Sequence, residues 1–223
     1  MEFFIHKEVL ELGVRIKGVF IEGIDNTYED DVYLAWRRQK TADLLQKYSG
    51  FDIKRDEILE GFYRLHEKVN VPRRKNIPAS ENLIKLLVKH QDLYRINKVV
   101  DIYNIISLES KLVLGAHDTD LIDGNIHLRI TDGNESFVPL GGTGKPVKAG
   151  EYSYIDDAGD ILCWLEIRQS EKDKVTDNTR NLFYIIQGNE KTPDELLQHT
   201  ADEIIDLTTR FCGGRGFVAG TVI

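Results

Sequence analysis

Asn104, His117, Asp118 and Glu171 are the polar side chains of this sequence best suited to chemistry. Asn104 sits in the mostly apolar run 99–112, where Asp101, Asn104, Ser107 and Ser110 recur every third residue. His117-Asp118 follows Leu114-Gly115-Ala116, and Glu171 stands in the polar run Arg168–Thr179. An amide such as Asn104 can orient a water or a carbonyl group. A carboxylate can take a proton or hold an ammonium. A histidine titrates near neutral pH and can act as a base. Each also has a purely structural use. Asn104 can cap a neighbouring loop, His117-Asp118 can bond locally before a turn, and Arg168 with Glu171 can form an ion pair.

Other chemistries find no footing. No HExxH, GxSxG or DxDxDG pattern is present, and the six histidines form no metal-ligand spacing, so neither a metal nor an organic cofactor is implied. Gly141-Gly142-Thr143-Gly144-Lys145 lacks the spacing of a phosphate loop, and Pro146 follows where a helix should begin, so a hairpin turn is expected. Cys163 and Cys212 form no CxxC pair and read as two buried free thiols. The net charge of −8 argues against non-specific coating of nucleic acid or anionic membrane, though not against a local basic groove. No window is apolar enough for a membrane span. Met1–Glu8 is too short and acidic for a signal peptide, which makes a cytoplasmic setting the expectation.

The elements that must position these residues follow from periodicity. Residues 13–22 alternate as a strand. Residues 30–48 read as a helix. In 56–70, Ile58, Phe62, Leu65 and Val69 mark one helix face. Val71–Pro78, with two prolines and Arg73, Arg74 and Lys75, is a connector. Helices follow at 80–90 and 99–112, the latter because its polar residues recur every three positions. Asn125–Thr131, Ser136–Leu140, Glu151–Asp156, Ile161–Arg168 and Leu182–Gln187 are strand-like runs separated by turn residues, and antiparallel pairing is expected. Thr192-Pro193-Asp194-Glu195 suggests a capping box opening a last helix that Gly213-Gly214 ends. Helices, then strands, then a helix make an α+β fold of helices packed on antiparallel β-sheet.

Two segments carry a resemblance. Asn97-Lys98-Val99-Val100-Asp101, with Asn104 and Leu108-Glu109, then Ala116-His117-Asp118, Asp123-Gly124 and Ile126-His127-Leu128-Arg129, resembles a run in the β subunit of bacterial phenylalanyl-tRNA synthetase. Val175-Thr176-Asp177-Asn178-Thr179 is similar to a later run of the same module. That module is the B3/B4 tRNA-binding domain, which also occurs free-standing. The likeness covers roughly residues 80–190. It implies a single B3/B4-like domain over 1–223, with 1–78 as an extension. Nothing resembles the synthetase's catalytic or anticodon-binding parts.

The resemblance implies an editing site, where the ester of a mischarged aminoacyl-tRNA is hydrolysed. Asn104 matches an asparagine of that site, and Glu171 lies near the position of its glutamate. Two positions depart from the family. Its histidine eleven residues after the asparagine is Gly115 here, with His117 two places on, and the threonine before the asparagine is Tyr103. The candidate catalytic residues are therefore Asn104, His117 and Glu171, expected to line one pocket between the 99–112 helix and the strands after 125. Tyr103, Ser107, Gly115, Asp118, Arg168, Thr176 and Thr179 are candidate substrate contacts, the two threonines toward the terminal ribose. Arg37, Arg38, Arg73, Arg74 and Lys75 are candidate contacts for tRNA phosphates, with the acceptor end as partner. Two alternatives stand beside deacylation: a non-catalytic tRNA- or RNA-binding module, and a protein that binds a small amino-acid-like ligand.

Overall fold

The computed structural model describes residues 1–27 and 30–223. In chain order the elements are β1 (Phe3–Ile5), α1 (Lys7–Glu11), β2 (Arg15–Glu22), α2 (Asp31–Tyr48), α3 (Glu57–Lys68), α4 (Ala79–His90), α5 (Lys98–Ser110) and β3 (Val113–Asp118). They continue with β4 (Ile126–Ile130), β5 (Tyr152–Asp156), β6 (Ile161–Trp164), β7 (Arg168–Gln169), β8 (Asn181–Gly188), α6 (Asp194–Cys212), β9 (Arg215–Ala219) and β10 (Thr221–Val222). Short 3-10 turns fall at Ile53–Arg55, Arg73–Lys75 and Thr119–Leu121.

Two sheets and the helices packed against them organise the interior. One sheet is antiparallel in the order β3-β8-β2-β9. Its strand β8 is apolar on both faces because both are covered. Phe183 and Ile185 face a core shared with Phe3, Phe62, Tyr152, Tyr154 and Cys163. Leu182, Tyr184 and Ile186 face α5 and α6 through Val99, Ile102, Ala201 and Ile204. A smaller cluster joins α2, α3, α4 and α5 through Leu44, Leu59, Ile84, Leu87 and Ile105. Helix α5 is thus enclosed on nearly every side, which accounts for its mainly apolar sequence. Asn97 fixes its start by accepting from the Val100 backbone N–H at 3.0 Å.

The second sheet runs β10-β1-β4-β5-β6-β7 and is mixed. Strand β1 pairs parallel to both β10 and β4, whereas β4 to β7 pair antiparallel. The antiparallel pairing expected of the runs after residue 125 is present in β4 to β7, and the parallel pairs come from β1, which lies outside those runs. β1 and β10 are too short for periodicity to reveal, and they pair across almost the whole chain. Strand β3 was not expected either. The 99–112 helix stops at Ser110 because Lys111 adopts φ +65°, and the chain turns into β3. Ser136–Leu140 makes only single bridges, Ser136 to Asp160 and Pro139 to Ser170, since Pro139 brings no N–H to a ladder. The expected capping box is absent. The Thr192 hydroxyl instead accepts from the Asn189 N–H at 3.1 Å, turned back toward Gly188. Among the described residues no helix is long and apolar enough to cross a membrane.

Candidate functional site

The polar stripe of α5 separates into residues that are satisfied and one that is not. Asp101 accepts from Arg37 Nε at 2.8 Å, from the Tyr33 hydroxyl at 3.0 Å and from the Ile96 N–H at 3.1 Å. Ser107 donates to the Leu112 carbonyl at 2.6 Å, and Ser110 to that of Ile106 at 2.8 Å. Asn104 has no side-chain partner among the described residues. It is half-buried and faces a cavity of about 490 Å³.

That cavity lies between α5, β3 and the segment from β6 into β7. Tyr103 and Asn104 come from α5, Leu114 and Gly115 from β3, and Arg168 and Gln169 from β7. Pro139, Leu140, Gly142 and Lys145 close its outer side. Leu165, at φ +51°, makes the sharp turn after β6 that brings Ile167 and Arg168 to the wall. A non-glycine residue rarely holds this conformation, and the fully buried Leu165 side chain anchors it in the core. The size suits one small-molecule fragment. Cys163 also borders the cavity. Burial, reinforced by Glu166 and Asp173, pushes its thiol well above the ordinary range, so it is no nucleophile near neutral pH. Burial likewise keeps the Tyr103 phenol protonated.

The cavity adjoins two hollows of about 360 and 310 Å³ around Arg168. Lys75 lines both, Lys145 and Lys148 join it in the smaller one, and Ser107 lines the larger. Among the described residues Arg168, Lys75, Lys145 and Lys148 form no ion pair. The Arg168 guanidinium carbon stands 5.8 Å from the centre of the Trp164 ring. Lys145 and Arg168 thus border the cavity, and Lys75 and Lys148 border the adjoining hollows, the smaller of which Glu151 also lines.

Several expected site residues are not in this cavity. His117 is buried one layer behind it, with Nδ1 at 2.6 Å from Asp173 Oδ2. Glu171 lies on the outer loop, paired with Lys174 and accepting from the Gly141 N–H at 3.0 Å, contacts that hold its pKa below the usual carboxylate range. Asn104, His117 and Glu171 thus do not line one pocket. His117 points into the space between the sheets, and Lys174 draws Glu171 outward. Asp118, Thr176 and Thr179 form a separate knot, in which the Thr179 hydroxyl donates to Asp118 at 2.6 Å and accepts from the Thr176 N–H at 2.9 Å. Their hydrogen bonds shape the turn after β3, and none of the three borders the cavity.

The basic residues divide in the same way. Arg37 is buried and held by Asp101 and the Leu93 carbonyl at 2.6 Å, so it is no phosphate contact. Arg73 is forked onto Glu60 and Glu67 and lies over the Tyr63 ring. Arg38, Arg74 and Lys75 remain exposed. Lys145, Lys148 and Gln169 were missed because they lie in turns or short strands with no periodic signal. Three clustered carboxylates elsewhere, Asp123, Asp156 and Asp160, are bridged by Lys172 at 2.7, 2.9 and 2.7 Å.

Comparison with known proteins gives this geometry a family context. The family model described as the B3/4 domain matches residues 66–213. The phenylalanine–tRNA ligase β subunit of Fusobacterium nucleatum is 29% identical over 111 residues, covering 49% of this chain and 14% of that protein. Its counterpart from Mycoplasma genitalium is 29% identical over 121 residues, covering 54% of this chain and 15% of its own. The match therefore spans only about one-seventh of these curated relatives. The crystal structure of an N-terminal fragment of the phenylalanyl-tRNA synthetase β subunit from Pyrococcus horikoshii superposes with a TM-score of 0.54 at 14% identity. It covers 99% of this chain and 52% of that one, and supports the α+β fold.

Proposed function

Because the chain belongs to the B3/4 domain family, we propose that residues 1–223 form one such unit, which receives a tRNA acceptor end and hydrolyses the ester of a mischarged aminoacyl-tRNA. Pairing of β10 with β1 supports the single unit, since it ties the last residues to the first. The observation that carries the functional reading is the cavity itself. Among the described residues the Asn104 amide in its wall has no side-chain partner, and Arg168, Lys145, Lys75 and Lys148, in the cavity and its adjoining hollows, form no ion pair. Cations so placed attract a phosphodiester backbone despite the net charge of −8, because local field outweighs distant charge over a Debye length of about 10 Å. The aminoacyl group then enters beside Tyr103 and Leu114. The Asn104 amide orients the attacking water or the ester carbonyl, and this help is worth most where it acts on the developing oxyanion.

A second reading has its own observation. His117 and Glu171 do not reach the cavity, which favours a module that binds the acceptor end without chemistry. A panel of correctly charged and mischarged tRNAs separates the two. The hydrolytic reading expects at least one mischarged tRNA to be deacylated well above its spontaneous rate, and Asn104→Ala to slow this by about 10-fold or more. Binding without deacylation gives the second reading. If neither occurs, while a free amino acid raises the melting temperature, the cavity serves a small ligand instead.

A further inference from the structure

Two buried polar atoms behind the cavity have no hydrogen-bond partner among the described residues. They are His117 Nε2 and Asp173 Oδ1, in side chains at most 1% exposed. The other atoms of this pair, His117 Nδ1 and Asp173 Oδ2, meet at 2.6 Å. A carboxylate only accepts, so Nδ1–H donates to it, and Nε2 is the nitrogen of the ring left without a partner. An unpartnered buried nitrogen is unfavourable in a purely structural pair.

Strand geometry shows where that nitrogen lies. Gly115 and His117 are two apart on β3 and share one face of the strand. Gly115 borders the cavity, and its missing side chain leaves a notch. A Cβ built there would stand 3.8 Å from His117 Nε2 and 2.9 Å from Gln169 Nε2. Gln169 also borders the cavity and fills the notch, where its amide donates to the Ala116 carbonyl at 3.1 Å. One flexible side chain, whose amide makes a single hydrogen bond among the described residues, thus stands between the cavity and the histidine.

We propose that the Asp173–His117 pair is the general base of this site, reached through the Gly115 notch when the Gln169 amide swings aside. The proposal rests on the hydrolytic reading above. His117 Nε2 takes a proton from a water in the cavity as the water oxygen bonds to the ester carbonyl carbon. The carbon–oxygen bond to the ribose then breaks, and the imidazolium returns the proton to the departing ribose oxygen. Water and ester become free amino acid and tRNA, with no other reactant. Asp173 and Gln169 are positioning residues, the first for ring orientation and the second for access.

The test measures steady-state deacylation of whichever mischarged tRNA the wild type hydrolyses. His117→Ala should lower kcat by about 100-fold or more with KM unchanged, the usual scale of a lost general base. Added imidazole should restore part of the rate, which a structural role would not allow. Asp173→Asn should lower kcat without raising KM. Hydrolysis at the wild-type rate by a folded His117→Ala protein would overturn the proposal and leave the esterase reading standing. A wild type that deacylates nothing defeats that reading, and the proposal with it. Gln169→Ala tests access without disturbing the buried pair. Diethyl pyrocarbonate should carbethoxylate His117, mapped by mass spectrometry, several-fold faster in this variant than in the wild type. Equal labelling of the two proteins removes the notch as the route.

Discussion

Arg37 and Asp101 illustrate how a single residue's surroundings decide its role. In sequence Arg37-Arg38 is a basic doublet. In the structure Arg37 lies among α2, α5 and the Leu93 carbonyl, with a carboxylate at 2.8 Å. Taking one partner from a buried pair leaves the other charge without compensation, which costs about 3–5 kcal/mol. Asp101→Ala should therefore lower the urea-unfolding free energy by that order, and a change under 1 kcal/mol, the scale of an exposed pair, would contradict the burial. The cysteines give a second check at this scale. Burial pushes the Cys212 thiol up to about 11 and Cys163 further. Since the thiolate is the reactive species, neither should react with a disulfide reagent near pH 8 until the protein unfolds, when both should titrate. Rapid native labelling of Cys163 would show that the cavity opens to solvent at its base.

At the scale of elements, α3 contains a glycine that helix propensity would replace. Ala normally improves a helix interior by about 1 kcal/mol over Gly. At Gly61, however, a Cβ would stand 2.2 Å from Asn189 Oδ1, and Asn189 donates to the Ile58 carbonyl at 2.8 Å. Gly61→Ala should thus destabilise the protein, by about 1 kcal/mol or more once the displaced amide loses its bond, and a rise in melting temperature would refute this packing. The same close approach docks α3 against the end of β8. From α3, Phe62 and Leu65 then reach the inter-sheet core beneath the cavity. Helix α5 works in the opposite sense. Helix α2 satisfies Asp101, carbonyls of α5 itself and of the turn after it satisfy Ser110 and Ser107, and Asn104, facing the opening, has no side-chain partner among the described residues.

For the whole molecule, charge distribution matters more than its sum. The net charge is −8, yet Lys75, Lys145, Lys148 and Arg168 converge from separate segments on one mouth. If that mouth holds tRNA phosphates, Lys75→Glu with Arg168→Glu should weaken tRNA binding and reduce the slope of log affinity against log salt by about two. Arg73→Gln, whose guanidinium is already forked onto Glu60 and Glu67, should leave the slope nearly unchanged. A slope altered by Arg73 and not by the pair would move the interface to the far side of α3, measured by filter binding across a salt series.

Local chemistry made much of this protein legible without coordinates. The helices at 30–48, 56–70 and 80–90 and the strand at 125–131 are there because each buries a face whose period is written in neighbouring residues, and the strands at 151–156 and 182–187, buried on both faces, are there as short runs bounded by turn residues. The resemblance carried by Asn97–Glu109 gave the B3/B4-like fold for the same reason, since a motif is local. Asn104 stood out as part of a polar stripe on an apolar helix. Tertiary structure alone decided which member of that stripe stayed unpartnered, because Arg37 and Tyr33 come from α2, far along the chain. It also decided that β1, β3, β9 and β10 are strands, since such short or edge segments gain their structure from partners rather than from their own pattern. His117 shows the limit most plainly. Its sequence neighbours suggest a site residue, but its position behind Gly115 and Gln169 follows from strand pairing with β8 and from Asp173, contacts that no local spacing encodes.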